Sequence, residues 1–317
     1  MSKLIVVLGA TGNQGGSVAK TFLNTPGWSV RAVTRNTSSD KAKALASNGA
    51  ELAQANLDDP ASLAAAFQGA HAVFAVSDFW GIHGDLVSKE QAKPWQALSV
   101  DAAERETQQL KNVVHAAAGV VTLERFVLSS LANVTKWSKG KFKQVFHFDS
   151  KAKATEYTQE TYPDLWKKTS IYQAGFYLSN FISIPFLGPV KSDKGVYQFA
   201  GTLDLDTKLP LIAPEEDSGP IVKALIDVPA GKNVIGYREW LTISEFADIF
   251  AKATGFEAEA VRIPDMTEME GLAFINEIGY EARDDPSVVH PKDLETPPQL
   301  DTVANYIKKN NWAEKFQ

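Results

Sequence analysis

Three glycines near the start of the chain have the spacing of a phosphate-binding turn. They lie in Gly9-Ala10-Thr11-Gly12-Asn13-Gln14-Gly15, which follows the apolar residues 4–8 and precedes a segment with helical periodicity. Glycines permit a tight turn and a close approach of the backbone to a ligand, and the free N–H groups at a helix N-terminus attract negative charge. The order strand, G-x-x-G-x-x-G, helix is therefore typical of a βαβ unit that binds the pyrophosphate of a dinucleotide.

The residues that end the second predicted strand indicate which dinucleotide is bound. NAD sites usually carry an acidic residue about 20 residues after the glycines, where it accepts hydrogen bonds from the adenosine ribose. Here Thr34-Arg35-Asn36 occupies that position, and Lys41 follows. Arg35 cannot accept a hydrogen bond, but its planar guanidinium is suited to a phosphate. The sequence therefore predicts NADP(H) rather than NAD as the cofactor.

An alternating strand and helix pattern places these residues at one edge of a sheet. We predict strands at residues 4–8, 28–33, 50–55, 71–76, 125–130 and 169–174, and helices at residues 17–23, 61–67 and 100–118, with a long connection after the fourth strand. Parallel strands need right-handed crossovers, so this order predicts an α/β, Rossmann-type, doubly wound parallel sheet that binds its ligand at the carboxyl ends of the strands.

The pattern becomes interrupted by Pro and Gly from residue 181 onwards. Short strands are predicted at residues 196–199 and 209–212, and helices at residues 218–226 and 244–254. We therefore expect a dinucleotide-binding domain over residues 1–180, with the return of strands or helices from the C-terminal half left open. Residues 181–317 are expected to form a smaller, irregular α+β lobe that covers the cofactor crevice.

Composition narrows the class of protein. The 317 residues are 44% hydrophobic, contain no Cys and carry a net charge of −6. The absence of Cys excludes disulfides and thiolate chemistry, and the five His residues lack metal-ligand spacing. No apolar run reaches the roughly 18 to 20 residues of a membrane span, and the acidic balance argues against direct nucleic-acid binding. We expect a cytoplasmic protein, with the nucleus as a second compartment, and no metal.

Seven motifs along the chain together resemble the NmrA-like family of atypical short-chain dehydrogenase/reductases. They are residues 9–15, Thr34-Arg35-Asn36, Val-Ser-Asp-Phe-Trp at 76–80, Val-Leu-Ser-Ser-Leu at 127–131, His-Phe-Asp-Ser-Lys at 147–151, Gly-Phe-Tyr-Leu-Ser-Asn at 175–180 and Asp217-Ser218-Gly219-Pro220. That family contains regulators that sense NADP(H) as well as genuine reductases. The resemblance therefore implies the fold and the cofactor, and it leaves the activity open.

The resemblance also singles out His147 and Lys151 as catalytic candidates. Reductases of the superfamily use Tyr-x-x-x-Lys on a helix, where the tyrosine gives a proton to the substrate and the lysine holds the nicotinamide ribose. In this chain His147 replaces the tyrosine, while Lys151 keeps its place. His147 is either a substitute general acid or a residue that only packs beside the dinucleotide. Tyr157 and Tyr177 are further candidate hydroxyls, and Tyr172 is expected in the core.

We expect the cofactor to lie along the carboxyl edge of the sheet. The predicted binding residues are Gly9, Thr11, Gly12, Asn13, Gln14, Gly15, Arg35, Asn36, Lys41, Asn56, Leu57, Val76, Ser77, Asp78, Phe79, Ser129, Lys151, Gln173, Gly175, Phe176 and Asn180. A group of aromatic residues is expected either to line a crevice for a flat organic molecule or to hold the second lobe to the core: Phe79, Trp80, Trp95, Trp137 and Phe176.

Two functions from different classes follow from these residues. The missing tyrosine favours a sensor that binds NADP(H) and regulates a protein partner without turnover. The complete set of cofactor residues supports the alternative, an NADPH-dependent reductase of a small carbonyl, imine or activated alkene. The oligomeric state cannot be read from the sequence.

Overall fold

Strands and helices alternate along the chain, which the computed structural model describes over residues 2–89, 93–264 and 270–316. The strands are β1 Lys3–Val7, β2 Trp28–Thr34, β3 Glu51–Gln54, β4 Ala72–Ala75, β5 Arg125–Ser130, β6 Thr169–Ala174, β7 Phe176–Tyr177, β8 Val190–Lys191, β9 Tyr197–Gly201, β10 Lys208–Ile212, β11 Asn233–Gly236, β12 Glu239–Thr242, β13 Ala258–Arg262 and β14 Val288–Val289. The helices are α1 Asn13–Leu23, α2 Asp40–Ser47, α3 Pro60–Phe67, α4 Phe79–Lys89, α5 Trp95–Ala118, α6 Val134–Trp137, α7 Phe146–Thr161, α8 Pro163–Trp166, α9 Asn180–Ser183, α10 Pro214–Asp227, α11 Ile243–Thr254, α12 Glu270–Ile278, α13 Val303–Lys309 and α14 Trp312–Lys315, with a 3₁₀ turn at Pro291–Asp293.

The main sheet confirms the predicted fold class. Within the described residues it has eight strands in the order β14-β11-β6-β5-β4-β1-β2-β3, all paired in parallel. The direction of winding reverses between β1 and β4, which opens a crevice at the carboxyl ends of these two strands. The six predicted strands are all present, and β11 and β14 return from the C-terminal half to extend the sheet.

The sheet is buried on both faces. Successive side chains along a strand point into two different apolar layers, one on each face. Ile5 and Val7 contact α1 and α10 on one face, and Val6 contacts α3 and α5 on the other. All three side chains are fully buried. Continuous apolar strands of this kind are characteristic of parallel sheets covered by helices on both sides. The helices therefore fix the sheet rigidly behind the crevice.

The segment after β4 corrects one prediction. Much of the expected long connection is the helix α4, and α5 begins at Trp95 rather than at residue 100. Asp78 starts α4 by accepting a hydrogen bond from the Gly81 N–H at 2.9 Å. Gly81 and Gly84 lie inside this helix. Glycine has low helix propensity, so a local pattern does not reveal a helix that tertiary packing stabilises.

The C-terminal half has its own aromatic core. Two small sheets, β12-β10-β7 and β13-β9-β8, pack with α11, α13 and α14 around Phe181, Phe199, Phe246, Phe250 and Trp312. Helix α10 begins at Pro214, earlier than the predicted residue 218, and packs against α1 beside the main sheet. None of the helices in the described ranges is long and apolar enough to cross a bilayer.

Candidate functional site

The glycine turn between β1 and α1 is packed too closely for a Cβ atom at two of its glycines. Gly9 has φ of +60°, a conformation that favours glycine, and a Cβ there would lie 2.8 Å from Val76 Cγ1. A Cβ on Gly15 would lie 2.3 Å from the Gly9 carbonyl oxygen. Both positions therefore need glycine if α1 is to begin directly against the turn.

The first turn of α1 presents an N-terminus suited to an anion. Gly12 is the N-cap residue and makes no side-chain capping hydrogen bond, and the first turn contains no acidic residue. Gly12 and Asn13 are exposed, while Thr11 and Gln14 are partly buried. Because the helix N-terminus carries partial positive charge, this turn fits the pyrophosphate of a dinucleotide.

Residues after β2 and β3 form the far end of the crevice. Arg35, Asn36 and Lys41 are exposed, and the Asn36 side chain shapes the loop by accepting hydrogen bonds from the Ser38 N–H at 3.0 Å and the Ser38 hydroxyl at 2.7 Å. A hydrogen bond from Arg105 is the largest effect that lowers the pKa of Asp58, and the Arg35 charge adds to it. Arg35 therefore lies within electrostatic reach of the loop after β3.

The loop after β3 is held in place by its own turn and by α5. Asn56 is exposed and accepts a hydrogen bond from the Asp58 N–H at 3.2 Å. The Leu57 carbonyl accepts a hydrogen bond from Asn112 at 2.9 Å. Asn56 and Leu57 thus lie beside the end of β2, where the Ala55 N–H donates to the Thr34 carbonyl oxygen at 3.2 Å, and their contact with a cofactor stays a prediction.

A buried carboxylate that the sequence reading missed lies behind the loop after β4. Glu106 of α5 is fully buried and accepts hydrogen bonds from Ser77 Oγ at 2.7 Å, Lys151 Nζ at 2.5 Å and Ser150 Oγ. A signal was present, because Glu106 falls on the same helix face as the apolar residues Ala102, Ala103 and Leu110. A carboxylate on the core-facing side of a helix indicates that a buried cation or hydrogen-bond donor lies opposite it.

Lys151 lies on the face of α7 that meets this carboxylate, and its predicted contact with a nicotinamide ribose stays a prediction. Its side chain is 12% exposed. Besides the ion pair with Glu106, Nζ donates to the His147 carbonyl oxygen at 3.4 Å. An ammonium group has three donors, so one remains for a hydroxyl in the crevice.

His147 lies in a cluster of aromatic rings. Its ring centroid is 5.1 Å from Trp80, 5.8 Å from Phe79 and 4.9 Å from Phe148. Burial, and then the charge of Lys151, lowers the pKa of His147 to about 3. The imidazole is therefore neutral at pH 7, which favours the packing role over the role of a cationic general acid.

The aromatic cluster reaches the surface through two tryptophans. Trp80 is 56% exposed and Trp95 is 62% exposed, and His83 lies between them, with its ring 4.0 Å from Trp95. His83 is buried, and its Nε2 has no hydrogen-bond partner among the described residues. The other two predicted aromatic residues, Trp137 and Phe176, pack instead in the C-terminal core.

Gln14 links the two sides of the crevice. Its side-chain amide donates to Tyr177 Oη at 2.6 Å and accepts from Ser129 Oγ at 2.8 Å. Burial raises the pKa of Tyr177 to about 12, so this hydroxyl is protonated at neutral pH. Among the other candidate hydroxyls, Tyr172 is a core residue as expected, and Tyr157 packs against Tyr162 on the opposite layer.

The remaining predicted residues lie along the rim of β6 and the segment after it. Gln173 is buried and donates to Asn233 at 2.8 Å. A Cβ on Gly175 would lie 2.1 Å from the Pro210 carbonyl oxygen, so this glycine allows β10 to approach. Phe176 is a core residue and Asn180 begins α9. These four positions have local structural explanations, and a cofactor contact for them stays a prediction.

Other features of the molecule lie away from this crevice. A polar cavity of about 380 Å³ in the C-terminal half is lined by residues that include Asp204, Lys208, Trp240 and Arg283, and it shares none of the crevice residues. In the part of the chain that is described, no cluster of three His, Asp or Glu side chains is arranged to hold a metal.

Comparison with known proteins agrees with this architecture. Residues 1–279 match the model of the NmrA-like family. A protein of Aspergillus hancockii, the NmrA-like family domain-containing oxidoreductase hkm9, is 32% identical over 273 residues, which cover 81% of this chain and 74% of that protein.

Two solved structures share the fold at low sequence identity. NmrA, a negative transcriptional regulator in complex with NADP, superposes with a TM-score of 0.73 at 19% identity, covering 99% of this chain and 97% of that one. A Citrobacter triphenylmethane reductase complexed with NADP(H) superposes with a TM-score of 0.64 at 18% identity, covering 98% and 99% of the two chains.

Proposed function

Because the chain belongs to the NmrA-like family, we propose that it is an NADPH-dependent oxidoreductase that acts on a planar, electron-poor substrate. The observation that carries this proposal is the juxtaposition of an anchored ammonium and an open aromatic wall. Lys151 Nζ lies 2.5 Å from a carboxylate oxygen of Glu106 and keeps one N–H for the crevice. His147 lies one turn before Lys151 on α7, and its ring forms the wall together with Trp80 of α4, 5.1 Å away.

Three groups of residues in the crevice fit the three parts of NADPH. The backbone N–H groups at Gly12 to Gln14 would hold the pyrophosphate, and Arg35 with Asn36 would hold the adenosine 2′-phosphate. Lys151 would hold the hydroxyls of the nicotinamide ribose. When bound, reduced nicotinamide supplies a hydride to the substrate.

The environment of His147 restricts which substrates could accept the hydride. A neutral imidazole with a pKa of about 3 is a poor proton donor at neutral pH. Tyr177 offers a hydrogen bond from a hydroxyl that stays protonated, since its pKa is about 12. This set suits an acceptor that needs little protonation by the protein, such as an iminium, a quinone or an activated alkene, rather than a simple aldehyde.

The aromatic wall restricts the shape of the acceptor. Trp80 and Trp95 are more than half exposed, and a patch of exposed aromatic side chains beside a crevice is typical of a site that binds a ligand or a partner. Flat unsaturated molecules stack on such rings, and a cationic one gains further from the ring faces. The triphenylmethane reductase among the structural neighbours supports this substrate class by its name.

The test is oxidation of NADPH, followed by the absorbance of the reduced nicotinamide, against a panel of acceptors. The panel contains a quinone, a cyclic iminium, a triarylmethyl cation and a simple aldehyde. We expect turnover with at least one planar acceptor and none with the aldehyde. Lys151→Met should abolish turnover, whereas Lys153→Met, an exposed lysine on the same helix, should not. Turnover that survives Lys151→Met, or no turnover with any acceptor, would contradict the proposal.

The replacement of the usual tyrosine by a neutral histidine favours a second function, a dinucleotide-responsive regulator. In that case the protein binds NADPH and NADP⁺ with different affinities and reduces none of the acceptors in the panel. Hydrogen exchange of the exposed patch around Trp80 and Trp95, measured with each form of the cofactor, distinguishes the two functions. A change in protection between the two forms, without turnover, would identify the regulator.

A further inference from the structure

Glu106 is the one fully buried carboxylate of the described residues that faces the crevice lysine, and every hydrogen bond it accepts comes from a residue near the crevice. Ser77 belongs to the loop after β4, and Ser150 and Lys151 belong to α7. None of the side chain of Glu106 is exposed, whereas 12% of that of Lys151 is. A carboxylate held in this way joins three separate elements of the crevice wall.

Burial of this charge needs a physical reason. Taking an ion pair out of water costs several kcal/mol per ion, and replacement of such pairs by apolar residues is often neutral or stabilising. The cost is offset only where the carboxylate is fully hydrogen-bonded, as it is here with three donors. Stability alone therefore does not explain a charged residue at position 106, on a helix face whose other buried residues are apolar or uncharged.

The geometry around Lys151 suggests what the carboxylate does. A lysine side chain has four rotatable bonds and sweeps a wide volume when it is free. Here Glu106 takes one N–H at 2.5 Å and the His147 carbonyl takes another at 3.4 Å. With two N–H groups engaged, the third points in one direction, and the Glu106 oxygen that holds the ammonium also accepts from Ser77 in the loop after β4.

We propose that Glu106 is a positioning residue that aims the Lys151 ammonium at the nicotinamide ribose of the cofactor. Ser77 and Ser150 hold the carboxylate itself in place, so the four residues act as one unit. This inference rests on the proposed function, in which Lys151 contacts the cofactor. It predicts that Glu106 affects the nicotinamide half of the dinucleotide and leaves the adenosine half unaffected.

The experiment compares two ligands with the variant Glu106→Gln, which keeps the volume of the side chain and removes its charge. NADPH carries both halves of the dinucleotide, and adenosine 2′,5′-bisphosphate carries only the adenosine half. We expect the dissociation constant of NADPH to rise about tenfold, equal to about 1.4 kcal/mol, and that of the fragment to stay unchanged. Glu104→Gln, an exposed residue on the same helix, is the matched control and should change neither value.

A double-mutant cycle then tests whether Glu106 acts through Lys151. Lys151→Met and Glu106→Gln should each weaken NADPH binding, and their combination should weaken it no further than Lys151→Met alone. Additive losses would overturn the proposal, and so would an equal loss for NADPH and the fragment, since that result indicates general damage to the fold. Unchanged NADPH binding in Glu106→Gln would also overturn it.

A second variant protects the test against misfolding of Glu106→Gln. Ser150→Ala removes one donor to the carboxylate and leaves both charges in place. It should weaken NADPH binding by a smaller factor, again without an effect on the fragment, and an equal effect on both ligands would count against the proposal. Failure of the proposed function would give a different result. The wild-type protein would then bind NADPH, but none of the acceptors would support its oxidation.

Discussion

Arg238 donates two parallel hydrogen bonds to Asp217, from Nε at 2.8 Å and from an Nη at 2.7 Å, and both side chains are buried. This pair ties the first turns of α10 to the start of β12, and α10 in turn packs against the dinucleotide-binding helix α1. The other residues of the motif Asp217-Ser218-Gly219-Pro220 also join separate elements, because Ser218 contacts the Tyr172 hydroxyl at 2.9 Å and the Gly219 N–H donates to Ser17 at 2.9 Å.

Asp217→Asn should therefore lower the free energy of unfolding by about 3 kcal/mol, because the buried Arg238 loses its two-bond partner and keeps only Glu216, at 3.0 Å, as a charged partner. Urea denaturation of the wild type and the variant measures this difference. Asp227→Asn is the matched control, since its ion pair with Lys223 on the same helix is partly exposed and should be worth less than about 1 kcal/mol. If both variants lost the same free energy of unfolding, burial would not be the reason why the Asp217–Arg238 pair stabilises the fold.

Gly15→Ala should abolish tight binding of NADPH. The added Cβ would lie 2.3 Å from the Gly9 carbonyl oxygen, so the helix N-terminus must move away from the turn. Gly16→Ala is the control one residue later: its Cβ would meet the Ala10 carbonyl oxygen at an ordinary 3.4 Å. Titration of cofactor fluorescence should show a large loss for the first variant and none for the second. If Gly15→Ala and Gly16→Ala bound NADPH equally well, the short distance to the Gly9 carbonyl oxygen would not be the reason for glycine at position 15.

Arg35→Ala should weaken NADPH binding about 10- to 100-fold, as expected for the loss of charge-assisted hydrogen bonds to a phosphate. NADH lacks the 2′-phosphate, so its dissociation constant should not change. Lys43→Ala removes an exposed charge from the neighbouring helix α2 and controls for the general loss of positive potential. If Arg35→Ala weakened the binding of both cofactors equally, this residue would not recognise the 2′-phosphate.

Unfolding should depend on pH through His147. Its pKa is about 3 in the folded protein against 6.5 for an unperturbed histidine. The unfolded chain therefore takes up the proton first, and the free energy of unfolding should fall as the pH decreases from 6.5 towards 3. In His147→Phe the dependence over this interval should be weaker, whereas Trp80→Phe, which keeps the titrating group, should retain it. Denaturation at several pH values measures both, and identical slopes for the wild type and His147→Phe would contradict the lowered pKa.

The parts of the fold that the sequence predicted best depend on local patterns. The strands at β5 and β6 have the predicted bounds, because continuous apolar runs between turns reveal a buried parallel strand. The helix α4 was missed, since its two glycines weaken the local signal and its stability comes from contacts with α5. Asp59 caps α3 and Pro60 follows it, as expected from capping chemistry.

The sequence by itself determined the glycine turn, the placement of Arg35 directly after β2 and the family to which the chain belongs, because each is read from short patterns whose residues are adjacent in the chain. The tertiary structure alone decided what surrounds the chemistry. Glu106 meets Lys151 across 45 residues, and Gln14 meets Tyr177 across 163. Contacts between residues so distant in sequence, and the burial that lowers the pKa of His147, depend on how the helices pack on the sheet, and no local pattern of residues encodes that packing.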